Sequence, residues 1–112
     1  MSGNPVYFVV NAPDAERAQE FFGAVLGWEF APGNAPGSFH ITNVSPPGGL
    51  AGGDAGRPRM YFQVDDIDAA IAKVRELGGQ AGELQPSQAG TYVDCRDDQG
   101  VEFSLFARAE PT

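Results

Sequence analysis

The segment DAERAQEFFGAVLGW, residues 14–28, decides how this chain is read. Within it Ala18, Phe21, Phe22, Val25 and Leu26 stand at i, i+3, i+4, i+7 and i+8, so a helix gathers them on one apolar stripe. Asp14 can accept hydrogen bonds from the first free N–H groups of that helix, and Gly27 can end it. Upstream, Val6-Tyr7-Phe8-Val9-Val10 is a β-branched and aromatic run bounded by Pro5 and the turn-prone residues 11–14, which predicts a strand. Downstream, Trp28-Glu29-Phe30 begins another strand, and Phe39 to Val44 alternates bulky and polar residues as a half-buried strand does.

The same order returns about fifty residues later. Met60-Tyr61-Phe62-Gln63-Val64 reads as a strand, Asp65-Asp66 supply caps, and Ile67, Ala70, Ile71, Val74 and Leu77 form a helical stripe that closes at Gly78-Gly79. Tyr92 to Arg96 and Val101 to Ala107 are two further strands. The turn Asp97-Asp98-Gln99-Gly100 between them predicts a hairpin. Two copies are too few for a solenoid and suggest a pseudo-symmetric pair of modules, joined through the Gly- and Pro-dense stretch Ser45 to Pro58. That junction has room for a weak edge strand around Gly49-Leu50-Ala51.

Size and composition bound the function. At 112 residues, with 42% hydrophobic and 20% charged residues, the chain reads as one globular domain with one core. No apolar run reaches the length of a membrane span, and the N-terminus lacks a secretory pattern, so a cytoplasmic location is expected. Cys95, the single cysteine, excludes an intramolecular disulfide. A net charge of −8 repels a phosphate backbone, which argues against nucleic acid as a partner.

Residues 14–28, the segment VDDIDAAIAKVRELGG at 64–79, and the turn at 97–100 together resemble the vicinal oxygen chelate superfamily, the glyoxalase, bleomycin-resistance and dioxygenase group. Asp98 stands where that family's turn usually has proline. The resemblance covers nearly the whole chain. It implies an α+β fold of two tandem βαβββ modules, module one at about 4–52 and module two at about 57–108. It further implies that the modules form a curled, cup-shaped mixed β-sheet with the helices outside, and that the chain forms a homodimer.

Strand alternation then sorts side chains by face. With Val6, Phe8 and Val10 packed under a helix, Tyr7 and Val9 point away from it. With Met60, Phe62 and Val64 packed, Arg59, Tyr61 and Gln63 point away, and with Phe103 and Leu105 packed, so do Glu102, Ser104 and Phe106. The candidate ligand-binding set is Tyr7, Trp28, His40, Arg59, Tyr61, Gln63, Tyr92, Glu102, Ser104 and Phe106. Phe30 is a further aromatic candidate, although for Trp28 and Phe30 packing is the favoured reading.

Metal-dependent members of the resembled family place His and Glu ligands at slots that hold Tyr7, Arg59 and Ser104 here, with a fourth near Gly49 to Gly53. No metal and no cofactor is therefore expected. His40 is the sole histidine, which excludes a two-His site within one subunit. Cys95 reads as a packing residue, and Asp94, Asp97, Asp98 and Glu102 lack the spacing of a calcium loop.

Three function classes follow. The first is a protein that binds and sequesters a small organic ligand, one with an aromatic or cationic portion. The second is a metal-independent lyase, isomerase or hydrolase with Glu102 or Asp94 as base. The third is a subunit whose own side chains fill the cup.

Overall fold

The computed structural model describes residues 3–33, 35–87 and 89–109. Among these residues nine strands and two helices follow one another in the order strand, helix, strands, twice over. The α+β class is as expected. The described residues divide into two compact units, one made of those from Val6 to Arg59 and the other of those up to Pro5 together with those from Met60 onward.

The first unit holds β1 (Pro5–Ala12), α1 (Ala15–Leu26), β2 (Phe30–Pro32), β3 (Phe39–Ile41) and β4 (Gly48–Gly52). α1 begins where the sequence places it: the Asp14 side chain accepts a hydrogen bond from the Arg17 N–H at 3.1 Å. It ends at Gly27, whose φ of 71° is the left-handed conformation that glycine enters without steric cost. β1 pairs in parallel with β4, and β3 pairs antiparallel with both β4 and β2.

β4 corrects the expectation of a weak edge strand. It lies between β1 and β3, with Leu50 registered against Val10 on one side and Phe39 on the other. Its glycines are what admit it there, since a Cβ at Gly48 would sit 2.5 Å from the Phe8 ring and one at Gly49 would sit 2.5 Å from the Tyr7 hydroxyl. The two glycines let both aromatic neighbours on β1 fold across the strand, one on each face. A residue type that weakens isolated strands is here the one that close packing requires.

The core of this unit gathers Val10, Ala15 and Leu50, with Phe8, Ala18, Phe22, Trp28, Phe30 and Phe39 packed against them. Phe8 and Val10 thus face α1, as alternation predicts. The apolar stripe of α1 is wider than the surface that covers it: Ala18 and Phe22 pack, whereas Phe21, Val25 and Leu26 are exposed.

The second unit holds β5 (Arg59–Gln63) from Met60 on, α2 (Ile67–Glu76), β6 (Gln80–Ala81), β7 (Gln85–Pro86), β8 (Gly90–Arg96) and β9 (Glu102–Arg108). The Asp66 side chain caps α2 by accepting from the Ala69 N–H at 3.0 Å. β5 pairs in parallel with β9, β9 pairs antiparallel with β8, and β6 and β7 both pair with β8. This repeats the first unit's arrangement, in which the opening strand lies parallel to the closing strand. β6 and β7 are too short to leave a periodic signal in the sequence.

Within the hairpin turn, Asp97 Oδ1 accepts from the N–H groups of Gln99 at 2.7 Å and Val101 at 2.9 Å. The core gathers Ile67, Val93, Cys95 and Leu105 against α2 and its neighbours. Cys95 is a packing residue there, with its thiol 3.9 Å from the Val93 carbonyl.

Candidate functional site

In the second unit, ladder register places side chains in rows on the sheet face opposite α2. Tyr61 on β5 is registered with Ser104 on β9, and Ser104 with Asp94 on β8. The next row is Gln63, Phe106 and Tyr92. Val93, Cys95, Phe103 and Leu105, the residues that alternate with these, form the core under α2, which fixes the two faces.

Ser104 is completely buried, and its hydroxyl donates to Asp94 Oδ1 at 2.6 Å. The Asp94 carboxylate remains exposed. Beside it the Tyr61 and Tyr92 rings meet edge to face, with centroids 5.8 Å apart and planes at 70°. At the far end of the hairpin Glu102 lies 3.7 Å from Arg96 in an exposed ion pair. Five of the expected ligand residues, Tyr61, Gln63, Tyr92, Ser104 and Phe106, therefore share one face with a carboxylate in their midst. Arg59 opens β5 two residues before Tyr61.

The sequence marks Asp94 as a possible base and leaves it out of the ligand set. The signal that places it was present, since it lies two residues from Tyr92 on one strand and so shares its face.

In the first unit Tyr7 and Val9 lie on the face opposite α1, together with Gly49 and with His40, which is registered against Gly49 on β3. The Tyr7 hydroxyl lies over the Gly49 backbone. Burial pushes its ionisation above the usual tyrosine value of 10.0 by disfavouring the phenolate. In the pH range between that value and the raised one, the folded state keeps a proton that the unfolded state has lost, so stability falls as pH rises through it. Tyr7→Phe is expected to remove a late tyrosine step from an absorbance titration at high pH and to flatten the alkaline loss of stability. An unchanged titration would place the late step elsewhere.

Trp28 lies on the α1 side of its sheet. Its ring centroid is 5.3 Å from Phe22, 5.6 Å from Phe8 and 6.4 Å from Phe30. Both Trp28 and Phe30 occupy core positions of the first unit, so Trp28 fluorescence reports on that core. An open groove also runs beside the start of α1, between Ala12 and Phe22. It lies outside both polar rows.

The metal site that the resembled superfamily implies does not match this donor set. Tyr7 is held as the neutral phenol, Arg59 is a permanent cation, and the Ser104 hydroxyl is engaged with Asp94. Among the described residues no group of three or more His, Cys, Asp or Glu side chains comes together in a way that could hold a metal ion.

A family model described as a glyoxalase-like domain matches residues 7–106. The curated protein named "Putative glyoxylase CFP32", from Mycobacterium bovis and Mycobacterium tuberculosis, is 26% identical over 120 residues. That alignment takes in 93% of this chain and 45% of the relative, so the chain spans about half the length of the curated relatives it matches. Among solved structures, homoprotocatechuate 2,3-dioxygenase from Brevibacterium fuscum superposes with a TM-score of 0.74 at 18% identity, over 96% of this chain and 37% of that one. Methylmalonyl-CoA epimerase from Mycobacterium tuberculosis superposes with a TM-score of 0.66 at 16% identity, over 96% of this chain and 89% of that one. At such identities the structural likeness shows a shared fold, that of the vicinal oxygen chelate superfamily. With the family model covering nearly the whole chain, the protein belongs to the glyoxalase-like domain family.

Proposed function

We propose that this chain binds a small organic molecule on the helix-free face of its second module, and that holding the ligand, without turning it over, is its main activity. The observation that carries this reading is the Tyr61–Tyr92 pair standing beside a carboxylate that a buried hydroxyl keeps in place. Aromatic surface with a few fixed polar groups is the composition of a small-molecule site. Gln63 and Phe106 extend it along the strands, and Tyr7 with His40 gives the first module a polar row of its own. Solved relatives in the superfamily act on small organic molecules, as the dioxygenase complexed with 3,4-dihydroxyphenylacetate illustrates. Sequestration of a drug or metabolite, as in the bleomycin-resistance branch, is the form of this function that needs no metal.

One observation favours a second reading. Asp94, held by Ser104, is a carboxylate in fixed position, which is what a general base for a lyase, isomerase or hydrolase needs. The protein is further proposed to act in the cytoplasm as a homodimer. The exposed Phe21, Val25 and Leu26 on α1 supply apolar surface that a second copy can cover. Among the described residues no helix is long and apolar enough to cross a membrane.

The test is a ligand screen followed by recovery. Planar and glycopeptide-type antibiotics are titrated into the purified protein while the Tyr61 and Tyr92 ring resonances are followed, and each bound compound is then recovered. Saturable shifts with unchanged compound support sequestration. Chemically altered compound with turnover moves the protein to the enzyme reading, and one tightly held transition metal per chain by elemental analysis would overturn the metal-free form of both.

A further inference from the structure

We propose that the ligand recognised on the second module is an organic cation, a quaternary or alkyl ammonium group, seated between the Tyr61–Tyr92 pair and the Asp94 carboxylate. This rests on the reading that the same face binds a small molecule, and it names the chemical class.

Three independent features converge on it. The first is aromatic. Tyr61 and Tyr92 come from different strands and meet edge to face at 5.8 Å, so two electron-rich ring faces are presented at an angle to one another. A cation is attracted to such faces by the ring quadrupole, and more strongly where the rings are partly desolvated, as both are here. The second is the carboxylate. Asp94 shares a strand and a face with Tyr92 and a register row with Tyr61, so its carboxylate belongs to the same face of the sheet as the rings. The third is that this charge is held. Ser104 is completely buried and spends its proton on Asp94 Oδ1 at 2.6 Å. A hydrogen bond this short fixes the orientation of that carboxylate. The serine is a positioning residue in this scheme, since it acts through Asp94.

Charge elsewhere is consistent with this assignment. Glu102 and Arg96, one row along, pair with each other at 3.7 Å. The chain as a whole carries a net charge of −8, which raises the local concentration of cations.

The probes are choline and its uncharged carbon isostere 3,3-dimethylbutan-1-ol, which differ only in the charged centre. Both are titrated into the full chain at low salt, with the Tyr61 and Tyr92 ring resonances as readout. Choline is expected to saturate, with the alcohol binding about tenfold more weakly. Asp94→Asn should lose about tenfold in choline affinity while leaving the alcohol unaffected. Ser104→Ala should fall between the two. A serine that was merely structural would alter both probes equally. Equal binding of the two probes, or full choline affinity in Asp94→Asn, overturns the cation assignment and leaves small-molecule binding standing. If neither probe moves the rings but another compound of the screen does, the cation class alone falls. If nothing in the screen moves them, both readings fall together.

Discussion

Leu50→Ala is expected to destabilise the protein by about 2–5 kcal/mol, the range for emptying a buried leucine site that the surroundings cannot fully refill. Leu50 is 1% exposed and belongs to the core formed with Val10 and Ala15. Backbone partners hold it on both sides, β1 through Val10 and β3 through Phe39, so the strand cannot shift to close the space. Against a total stability of roughly 5–15 kcal/mol for a domain of this size, the loss should appear as a large drop in the denaturant midpoint with little change in slope. The alternative is sharply different. At an exposed edge strand in a Gly-rich junction, the same substitution would cost less than about 1 kcal/mol. A loss that small would refute the interior position of β4.

The second large effect is expected at Gly49. An alanine there would place its Cβ 2.5 Å from the Tyr7 hydroxyl, with the ring carbon Cζ at 3.3 Å. Gly49→Ala should therefore cost about 1–3 kcal/mol, the usual range for overpacking a filled site. Because the hydroxyl is the closest atom, its removal should relieve most of the strain. The double variant Tyr7→Phe with Gly49→Ala is expected to recover most of the loss, giving a coupling energy of about 1 kcal/mol or more in a double-mutant cycle. Chemical denaturation of the four proteins measures this directly. Simple additivity of the two changes would show that Tyr7 does not lie over Gly49.

Gly48 provides an internal contrast. Its missing side chain accommodates the Phe8 ring on the α1 side, whereas Gly49 accommodates Tyr7 on the other. Two adjacent glycines thus have opposite consequences. One protects the hydrophobic core, and the other lets a polar residue lie flat on the helix-free face.

The helices and the faces of the long strands were legible from sequence because each depends on neighbours close along the chain. The stripe of α1 and its Asp14 and Gly27 ends follow from 3.6-residue periodicity and capping chemistry. Alternation along β5 and β9 likewise sorted Tyr61 and Ser104 from Phe103 and Leu105. Register between strands remote in sequence is set by packing, and only the tertiary structure decided it. That is why a glycine-rich stretch read as a weak edge became the interior strand β4, with Tyr7 and Phe8 lying across its two glycines. The same cause brought Asp94 into a row with Tyr61 and seated its carboxylate on Ser104, since β9 pairs with both β5 and β8 while β8 and β9 bury their other face against α2. Local periodicity determined which way each side chain points, and long-range burial of apolar surface chose which of them meet.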